Sequence, residues 1–205
     1  MTTLYYAPGA CSLAPHIVLE WIGADYEAVK VAIGSPDLKA VNPAGAVPAL
    51  REDDGWVLTQ AGAILDYLAQ KHPEANLSGG TSLRAKAEAH RWSAFLTSDI
   101  HASFWPVFMA PRFTTDKSPE ARAHVVEAAK ALVAKKFAIL DAHLEGRDWI
   151  LESRSVIDAY AFPMIRWGAK VLEGGLTPYP NIARLHDALA ADPAVQKVLA
   201  RESAA

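Results

Sequence analysis

The feature that most constrains the fold of this chain is a change of pattern near residue 77. Before it, short strand-like and helical runs alternate, and Pro, Gly and Asp residues typical of turns separate them. After it, strand patterns disappear and apolar residues recur at steps of three and four, as in amphipathic helices. We therefore predict a small α/β domain over residues 1–77 and an all-helical domain over residues 82–205.

The first domain has the predicted order β-α-β, a short segment, and then β-β-α. A strand, a helix and a strand in succession favour a parallel pair joined by a right-handed crossover. The sequence "EDDG" is a turn signal between the two later strands, and it predicts an antiparallel hairpin. The predicted strands are Thr3–Tyr6, Tyr26–Ile33, Val47–Arg51 and Trp56–Thr59, and the last helix is Gln60–His72.

The second domain shows helix boundaries in its sequence. Ser155 and Asp158 have the spacing of a capping box, with Asp in the place usually taken by Glu. A long helical segment begins at Leu83, and we expect it to break near Pro106 and again near Pro111.

Composition excludes several classes of partner. The net charge is -3 and like charges form no long block, which argues against nucleic acid or an anionic membrane as a main partner. No apolar run is long enough to span a bilayer, and the N-terminus lacks the pattern of a signal peptide. A single cysteine cannot form an internal disulfide, so we expect a cytoplasmic protein whose thiol stays reduced.

That cysteine, Cys11, follows the first predicted strand and lies at the expected start of the first helix. The first N–H groups of a helix have no backbone partner and its dipole is positive there, so both favour a thiolate and a lowered pKa. The position favours chemistry at Cys11. A lone cysteine is also commonly a small buried apolar residue, and this alternative stays open.

Pro48 is unusual because it stands at the start of a predicted strand, where proline removes a ladder hydrogen bond. A cis bond between Val47 and Pro48 would leave the Val47 backbone free to pair with an extended peptide ligand. The alternative is an ordinary trans proline at a strand edge, the far commoner arrangement.

Four motifs together resemble a known family. They are "PGACSLAPHIVL", N-P-x-G-x-V-P-x-L, T-x-x-x-A-I-L-x-Y-L and "SVIDAY", in that order. This combination resembles the cytosolic glutathione transferases over essentially the whole chain, and "SDIHASFWPVF" is most similar to the bacterial beta class. The resemblance implies a thioredoxin-like N-terminal domain, an all-helical C-terminal domain and a homodimer. It also implies glutathione as co-substrate, no metal, and conjugation of hydrophobic electrophiles in detoxification.

The resemblance also assigns residues. Cys11 and His101 match the catalytic cysteine and the histidine near the glutathione sulfur, although His101 alone would be an ordinary helix residue. The matches to the glutathione-binding residues are Val47, Pro48, Gln60 and Ala61. The electrophile pocket would be lined by Phe104, Trp105, Phe108, Phe113 and Trp167, for which packing in the helix core is the alternative.

Several positions depart from the family pattern. Ala61 lacks a hydroxyl, Ala94 and Ala102 replace polar residues, and Lys39 lies in a shortened loop. Each lost charged hydrogen bond costs roughly 1.5–3 kcal/mol, so we expect weak or unusual glutathione binding. The candidate replacement cations are Arg84, Arg112 and Arg166.

Two other functions remain open on the same fold. In the first, Cys11 is the nucleophile of a glutathione-dependent thiol-disulfide exchange or dehalogenation. In the second, the chain is a non-catalytic binding or interaction protein, an interpretation that the missing polar residues motivate.

Overall fold

The N-terminal part of the chain is built on a four-stranded sheet in the computed structural model, which describes residues 1–204. The strands are β1 (Thr2–Tyr6), β2 (Tyr26–Lys30), β3 (Ala49–Arg51) and β4 (Val57–Thr59), in the spatial order β2-β1-β3-β4. β1 is parallel to β2, and β3 is antiparallel to both β1 and β4. The parallel pair and the hairpin are confirmed. β2 and β3 are shorter than predicted, and Val47 and Pro48 lie just before β3.

Helices form the rest of the molecule. The helices of the described chain are α1 (Leu13–Trp21), α2 (Pro36–Val41), α3 (Ala61–Lys71), α4 (Leu83–Ala94), α5 (Ala102–Phe108), α6 (Pro119–His143), α7 (Val156–Val171), α8 (Pro180–Ala191) and α9 (Pro193–Ala204). A π-helical segment, Phe95–His101, joins α4 to α5. The thioredoxin-like half followed by an all-helical half is the expected fold class.

Both faces of the sheet are covered, which explains a helix that the sequence pattern did not predict. Leu4 and Tyr6 of β1 belong to the large core, whereas Tyr5 points to the other face. There it shares a small apolar cluster with Leu38 of α2, which is fully buried. The Ser35 hydroxyl caps α2 by accepting the Leu38 N–H at 3.2 Å. In a helix of six residues, one buried leucine leaves no periodic apolar pattern to detect.

The long helical segment from residue 83 to residue 108 runs on through a proline. The expected break at Pro106 is wrong: this residue lies inside α5, which ends at Phe108. The missing N–H therefore costs a hydrogen bond only in the last turn of the helix. The break near Pro111 is confirmed, since that residue lies in a short 3-10 turn, Ala110–Arg112.

The predicted capping box at the start of α7 is confirmed. The Ser155 Oγ accepts the Ile157 N–H at 3.2 Å, and the Asp158 carboxylate accepts the Ser155 N–H at 2.8 Å. Asp158 also accepts the Ile150 N–H at 2.9 Å, so it ties the preceding loop to the helix. Burial raises the pKa of Asp158 to about 6 despite these donors.

One continuous core joins the two halves. Leu4 and Ile17 from the first half lie in the same buried cluster as Phe104 and Phe162 from the second. α7 packs against α1, α3, α4 and α8, and it therefore lies at the centre of that cluster. The division into domains at residues 1–77 and 82–205 stays a prediction.

Two findings bear on partners. None of the helices within residues 1–204 combines the length and apolarity needed to cross a membrane. The same residues contain no group of three or more His, Cys, Asp or Glu side chains arranged to hold a metal ion.

Candidate active site

The turn before α1, residues 7–12, holds Cys11 in a fixed position, and we call it the Cys11 turn. The Ala10 N–H donates to the Ala7 carbonyl at 3.1 Å. The Ser12 hydroxyl accepts the Ala7 N–H at 3.1 Å and donates to the Ala7 carbonyl at 3.2 Å, which closes the turn. Gly9 has φ +73°, a conformation that favours glycine. Cys11 thus comes one residue before the N-cap of α1.

The Cys11 thiol is buried and protonated. Its Sγ donates to the Val47 carbonyl oxygen at 3.4 Å, and only 9% of the residue is exposed. Burial raises the pKa of Cys11 to about 11, although backbone hydrogen bonds from Cys11 and Ser12 act in the opposite direction. The backbone donors at the start of the helix thus act in the expected direction, but the expectation of a lowered pKa is wrong because burial decides the net shift.

The backbone of Val47 faces this thiol. The Val47–Pro48 peptide bond is cis. The Val47 carbonyl accepts only the Cys11 thiol, and the Val47 N–H makes no hydrogen bond within residues 1–204. Beside the thiol, Val47 therefore offers an unpaired N–H and a carbonyl that accepts only one weak hydrogen bond from sulfur. An extended peptide would need such a donor and acceptor to pair with this backbone.

The N-terminus of α3 provides a second set of backbone donors. Gln60, the residue before the helix, has φ +73° and ψ +116°, and its side chain does not cap the helix. The N–H groups of the first turn, beginning at Ala61, therefore lack a side-chain acceptor. A groove of about 630 Å³ runs from Gln60 between α3 and α4, and neither Cys11 nor His101 lines it. Ala94 lines this groove.

His101 ends the π-helical segment and faces a tyrosine of α7. Its Nδ1 lies 3.2 Å from the Tyr160 hydroxyl. Burial lowers the pKa of His101, so the ring is neutral at pH 7. Burial also raises the pKa of Tyr160 to about 12, although the nearby Thr97 hydroxyl acts in the opposite direction. Tyr160 and His101 therefore form a neutral hydrogen-bonded pair, and Cys11 lies close enough to Tyr160 to raise its pKa slightly.

Tyr160 is the residue that sequence reasoning missed. It lies in "SVIDAY", where only the capping box drew attention. The sequence feature that could have identified Tyr160 is its hydroxyl, which lies two residues after Asp158 in an otherwise apolar, buried stretch of helix. A buried tyrosine hydroxyl normally needs a partner, and this requirement could have marked it.

Aromatic rings surround His101 on its other sides. Trp105 lies parallel to the imidazole with ring centroids 6.1 Å apart, and Trp167 lies at 5.2 Å. Phe108 contacts Trp167 at 5.4 Å. Trp105 and Phe108 are 43% and 49% exposed, so a ligand can reach them. We call His101, Trp105, Phe108 and Trp167 the aromatic group.

The other two predicted pocket residues behave differently. Phe104 is fully buried and contacts Phe137 and Trp167, so it supports the aromatic group from beneath and presents no surface to a ligand. Phe113 follows the 3-10 turn and is 50% exposed. Its ring makes none of the aromatic contacts found within residues 1–204, and its part in a pocket stays a prediction.

A direct hydrogen bond joins the aromatic group to the Cys11 turn. The Trp167 indole N–H donates to the Gly9 carbonyl at 2.8 Å. On its other side, the Gly9 N–H donates to the Glu202 carboxylate at 3.0 Å, and Glu202 also binds the buried His16 Nδ1 at 3.0 Å. Helices α7 and α9 therefore both hold the residue that lies two positions before Cys11.

The candidate replacement cations lie in different places. Arg84 lines a separate cleft beside α4, and it is absent from the groove at Gln60. The guanidinium of Arg166 lies 5.7 Å from the centre of the Phe162 ring. Arg112 ends the 3-10 turn that follows α5. The three arginines therefore form no common cluster that could take the place of the absent polar residues.

Lys39 of α2 lies beside the loop that carries Val47. Its aliphatic chain packs against Gly45, which precedes Val47 by two residues. The shortened loop thus still brings one lysine near the Val47 backbone.

Comparison with known protein families gives two matches. Residues 4–76 match the model of the glutathione S-transferase N-terminal domain, and residues 97–193 match the model of the C-terminal domain. The chain is 41% identical over 171 residues to glutathione S-transferase GST-4.5 of Xanthomonas campestris pv. campestris, covering 82% of each protein.

Solved structures give the same result. A glutathione S-transferase from Xylella fastidiosa superposes with a TM-score of 0.91 at 38% identity, covering 99% of both chains. A sphingomonad glutathione S-transferase in complex with glutathione superposes with a TM-score of 0.85 at 38% identity. That alignment covers 99% of this chain and 100% of the other.

Proposed function

The chain belongs to the glutathione S-transferase family, and we propose that it joins the thiolate of glutathione to apolar electrophiles between the Cys11 turn and the aromatic group. It is a transferase, as its relatives are. The identity of the second substrate and the role of each residue are our inference from the geometry.

The hydrogen bond between Trp167 and Gly9 carries this proposal. It holds Trp167, which contacts His101 and Phe108 of the aromatic group, against the turn that holds the only thiol. A sulfur nucleophile bound beside Cys11 would therefore lie next to apolar rings that suit a hydrophobic electrophile. Bringing two substrates together in this way supplies much of the catalysis available to such a site.

Glutathione binding follows from the unpaired backbone groups. Its cysteinyl residue would pair with the N–H and carbonyl of Val47, and its γ-glutamyl carboxylate would accept N–H groups at the start of α3. Ala61 offers no hydroxyl there, and Ala94 offers no amide in the adjoining groove. We therefore expect glutathione to bind more weakly than to a site that keeps these polar side chains.

Cys11 acts as a donor in the proposed reaction. Its proton points to the Val47 carbonyl in the free protein. When the glutathione backbone N–H takes that carbonyl, glutathione releases its thiol proton to solvent, and the Cys11 thiol can turn its own proton to the resulting glutathione thiolate as a hydrogen bond. The glutathione thiolate then attacks the electrophilic carbon, a sulfur–carbon bond forms, and the leaving group departs with its electron pair. A thiol with so high a pKa is poorly suited to be the nucleophile itself.

We also propose that the protein is a cytoplasmic homodimer of the beta class with a role in detoxification. The resemblance of the Cys11 and His101 segments to that class supports the assignment. Small residues line the groove between α3 and α4, which suits close approach of a second copy. Sedimentation at micromolar concentration should give twice the chain mass of 22.1 kDa, and a monomer would count against the dimer.

The test of the proposed reaction uses a chlorinated dinitrobenzene, glutathione and two variants, Cys11→Ser and Cys11→Ala. The serine keeps a hydrogen-bond donor without a thiol, and the alanine removes both. We expect kcat/KM of Cys11→Ala to fall by no more than about tenfold, the size of one weak hydrogen bond, and Cys11→Ser to fall less.

Other outcomes select the alternatives. A loss of more than about a hundredfold in both variants would mean that Cys11 is the nucleophile. Reduction of a glutathione mixed disulfide, measured in parallel, would then show thiol-disulfide exchange. If calorimetric titration of the folded protein with millimolar glutathione gives no heat, the enzyme interpretation fails, and the alternative of a non-catalytic binding or interaction protein remains.

A further inference from the structure

We propose that Tyr160 is a positioning residue that fixes His101 in the tautomer protonated on Nε2, so that this N–H is the donor presented to the glutathione sulfur. The inference deepens the proposed function and rests on glutathione binding beside Cys11. It concerns which of two ring nitrogens carries the proton, a property that the resemblance of the His101 segment does not specify.

The Tyr160 hydroxyl has one well-placed acceptor among the residues described. Only 1% of Tyr160 is exposed, and its oxygen lies 3.2 Å from His101 Nδ1. A buried hydroxyl proton without an acceptor is costly, so the proton is directed to Nδ1. In a neutral imidazole one nitrogen accepts and the other donates, so an accepting Nδ1 requires the proton to be on Nε2.

Thr97 is the other hydroxyl near Tyr160. It lowers the pKa of Tyr160, against the larger effect of burial, because a donor stabilises the phenolate. The Thr97 Oγ1 also donates to the Ser93 carbonyl at 2.8 Å within its own helical segment. No hydrogen bond joins Thr97 to Tyr160 within residues 1–204, so His101 Nδ1 is the acceptor left for the Tyr160 proton.

His101 Nε2 is open to a ligand. The two nitrogens point to different sides of a five-membered ring, so Nε2 points away from Tyr160. It has no hydrogen-bond partner within residues 1–204. The completely enclosed side-chain atoms without a partner in that part of the chain are His16 Nε2 and Trp92 Nε1. Since His101 Nε2 is not one of them, its unpaired N–H is accessible from outside the protein.

The imidazole is held in this orientation by its neighbours. Trp105 lies parallel to one side of the ring, with an angle of 5° between the planes, and Trp167 packs at 5.2 Å. Turning the ring over would place a carbon against the Tyr160 hydroxyl and leave the hydroxyl proton without its acceptor. Tyr160 therefore favours one ring orientation as well as one tautomer.

Few charged groups surround this pair. Asp99 lies on the same π-helical segment and is paired with Lys136 of α6 at 2.5 Å. Cys11 on the Cys11 turn is protonated, and Tyr160 on α7 is the titratable group in contact with the imidazole. Burial keeps His101 neutral, so the Nε2 proton is available as a donor throughout the neutral pH range.

The test reads the tautomer directly by nitrogen NMR of imidazole-labelled protein. The chain has seven histidines, and loss of one signal in His101→Gln assigns the signal of interest. In the wild-type protein we expect a protonated Nε2 and an unprotonated Nδ1 at pH 7. In Tyr160→Phe, which removes only the hydroxyl, we expect a mixture of tautomers and a fall in kcat of about three- to tenfold, with KM for glutathione little changed.

Tyr179→Phe is the matched control, because it removes another buried tyrosine hydroxyl of the helical half, one that donates to the Ala134 carbonyl at 3.3 Å. It should leave the His101 tautomer and kcat unchanged. A wild-type His101 with its proton on Nδ1 would overturn the proposal, whether or not Tyr160→Phe folds. An unchanged tautomer in folded Tyr160→Phe would do the same. If the tautomer is as expected and no conjugation occurs, the proposed function fails and the role of Tyr160 in setting the tautomer stands.

Discussion

Cys11 and Tyr160 both keep their protons at neutral pH because burial penalises their anions more than nearby donors stabilise them. The pKa of Cys11 rises to about 11 and that of Tyr160 to about 12. The position of Cys11 near a helix N-terminus favours the opposite effect. At this site burial decides the protonation state, and the thiol donates to the Val47 carbonyl.

The free protein should therefore resist alkylation at Cys11. The rate of reaction with iodoacetamide follows the thiolate fraction, and Cys11 is the only thiol, so the rate reports on it alone. We expect the rate to stay low up to about pH 9 and to rise steeply only toward the pKa of about 11. Alkylation of urea-unfolded protein is the control. An inflection below about pH 8 in the folded protein would contradict the raised pKa.

Among the elements, α7 contributes most to the site because it carries both Tyr160 and Trp167. Its first turn is buried. Its capping box includes Asp158, whose pKa burial raises to about 6, above the usual value for an unfolded chain. The folded protein thus binds a proton at this residue that the unfolded chain releases between about pH 4 and pH 6. The stabilisation from this bound proton is complete below the pKa of Asp158 in the unfolded chain. It is lost as the pH rises through the pKa of Asp158 in the folded protein.

The free energy of unfolding should fall by about 2–3 kcal/mol between about pH 4 and pH 6 through this residue. Asp158→Asn, which cannot ionise, should remove that slope, and it should also lower stability because the amide cannot reproduce all the carboxyl contacts. Urea unfolding at several pH values measures both effects.

Asp141→Asn serves as the control for Asp158→Asn, because Asp141 accepts the Ile182 N–H near the start of α8. This variant also replaces a carboxylate that accepts backbone N–H groups but leaves Asp158 in place, so it separates the loss of contacts from the loss of the Asp158 proton. An Asp158→Asn protein with the wild-type slope would show that another group causes the slope, contrary to our account.

On the scale of the whole molecule, the last helix reaches back to the first turn. Glu202 of α9 accepts the Gly9 N–H and binds His16 of α1, all in buried or half-buried surroundings. Trp167 holds the carbonyl of the same glycine. The Cys11 turn therefore depends on residues at the far end of the sequence, and the candidate active site forms only when both halves have folded.

Glu202→Gln should weaken this connection. A neutral amide accepts one of the two donors poorly, and an unpaired buried group costs about 1–3 kcal/mol of unfolding free energy. We expect that loss in urea unfolding together with a several-fold rise in KM for glutathione. Glu20→Gln removes the carboxylate that pairs with Lys197 on the same pair of helices, away from Gly9. It should lower stability without changing KM. An equal change in KM in both variants would contradict a specific role for Glu202.

The sequence predicted the features that depend on local pattern. Turn residues, helix caps and apolar spacing indicated the element order, the hairpin and the capping box at Ser155, and motif resemblance indicated the family. It did not predict α2, whose single buried leucine leaves no periodicity. It also missed the protonation of Cys11 and the partner of His101. Both depend on burial by segments distant in the sequence, and no local spacing encodes that burial.

Identifying which sulfur carries the negative charge tests the central claim most directly. Thiolate absorbance in the ultraviolet can be followed against pH for the complex with glutathione, in the wild-type protein and in Cys11→Ser. We predict one thiolate per site near neutral pH in both proteins, because the charge belongs to glutathione and Cys11 stays protonated. If the absorbance disappears in Cys11→Ser, Cys11 is the thiolate, and its proposed role as a donor is contradicted.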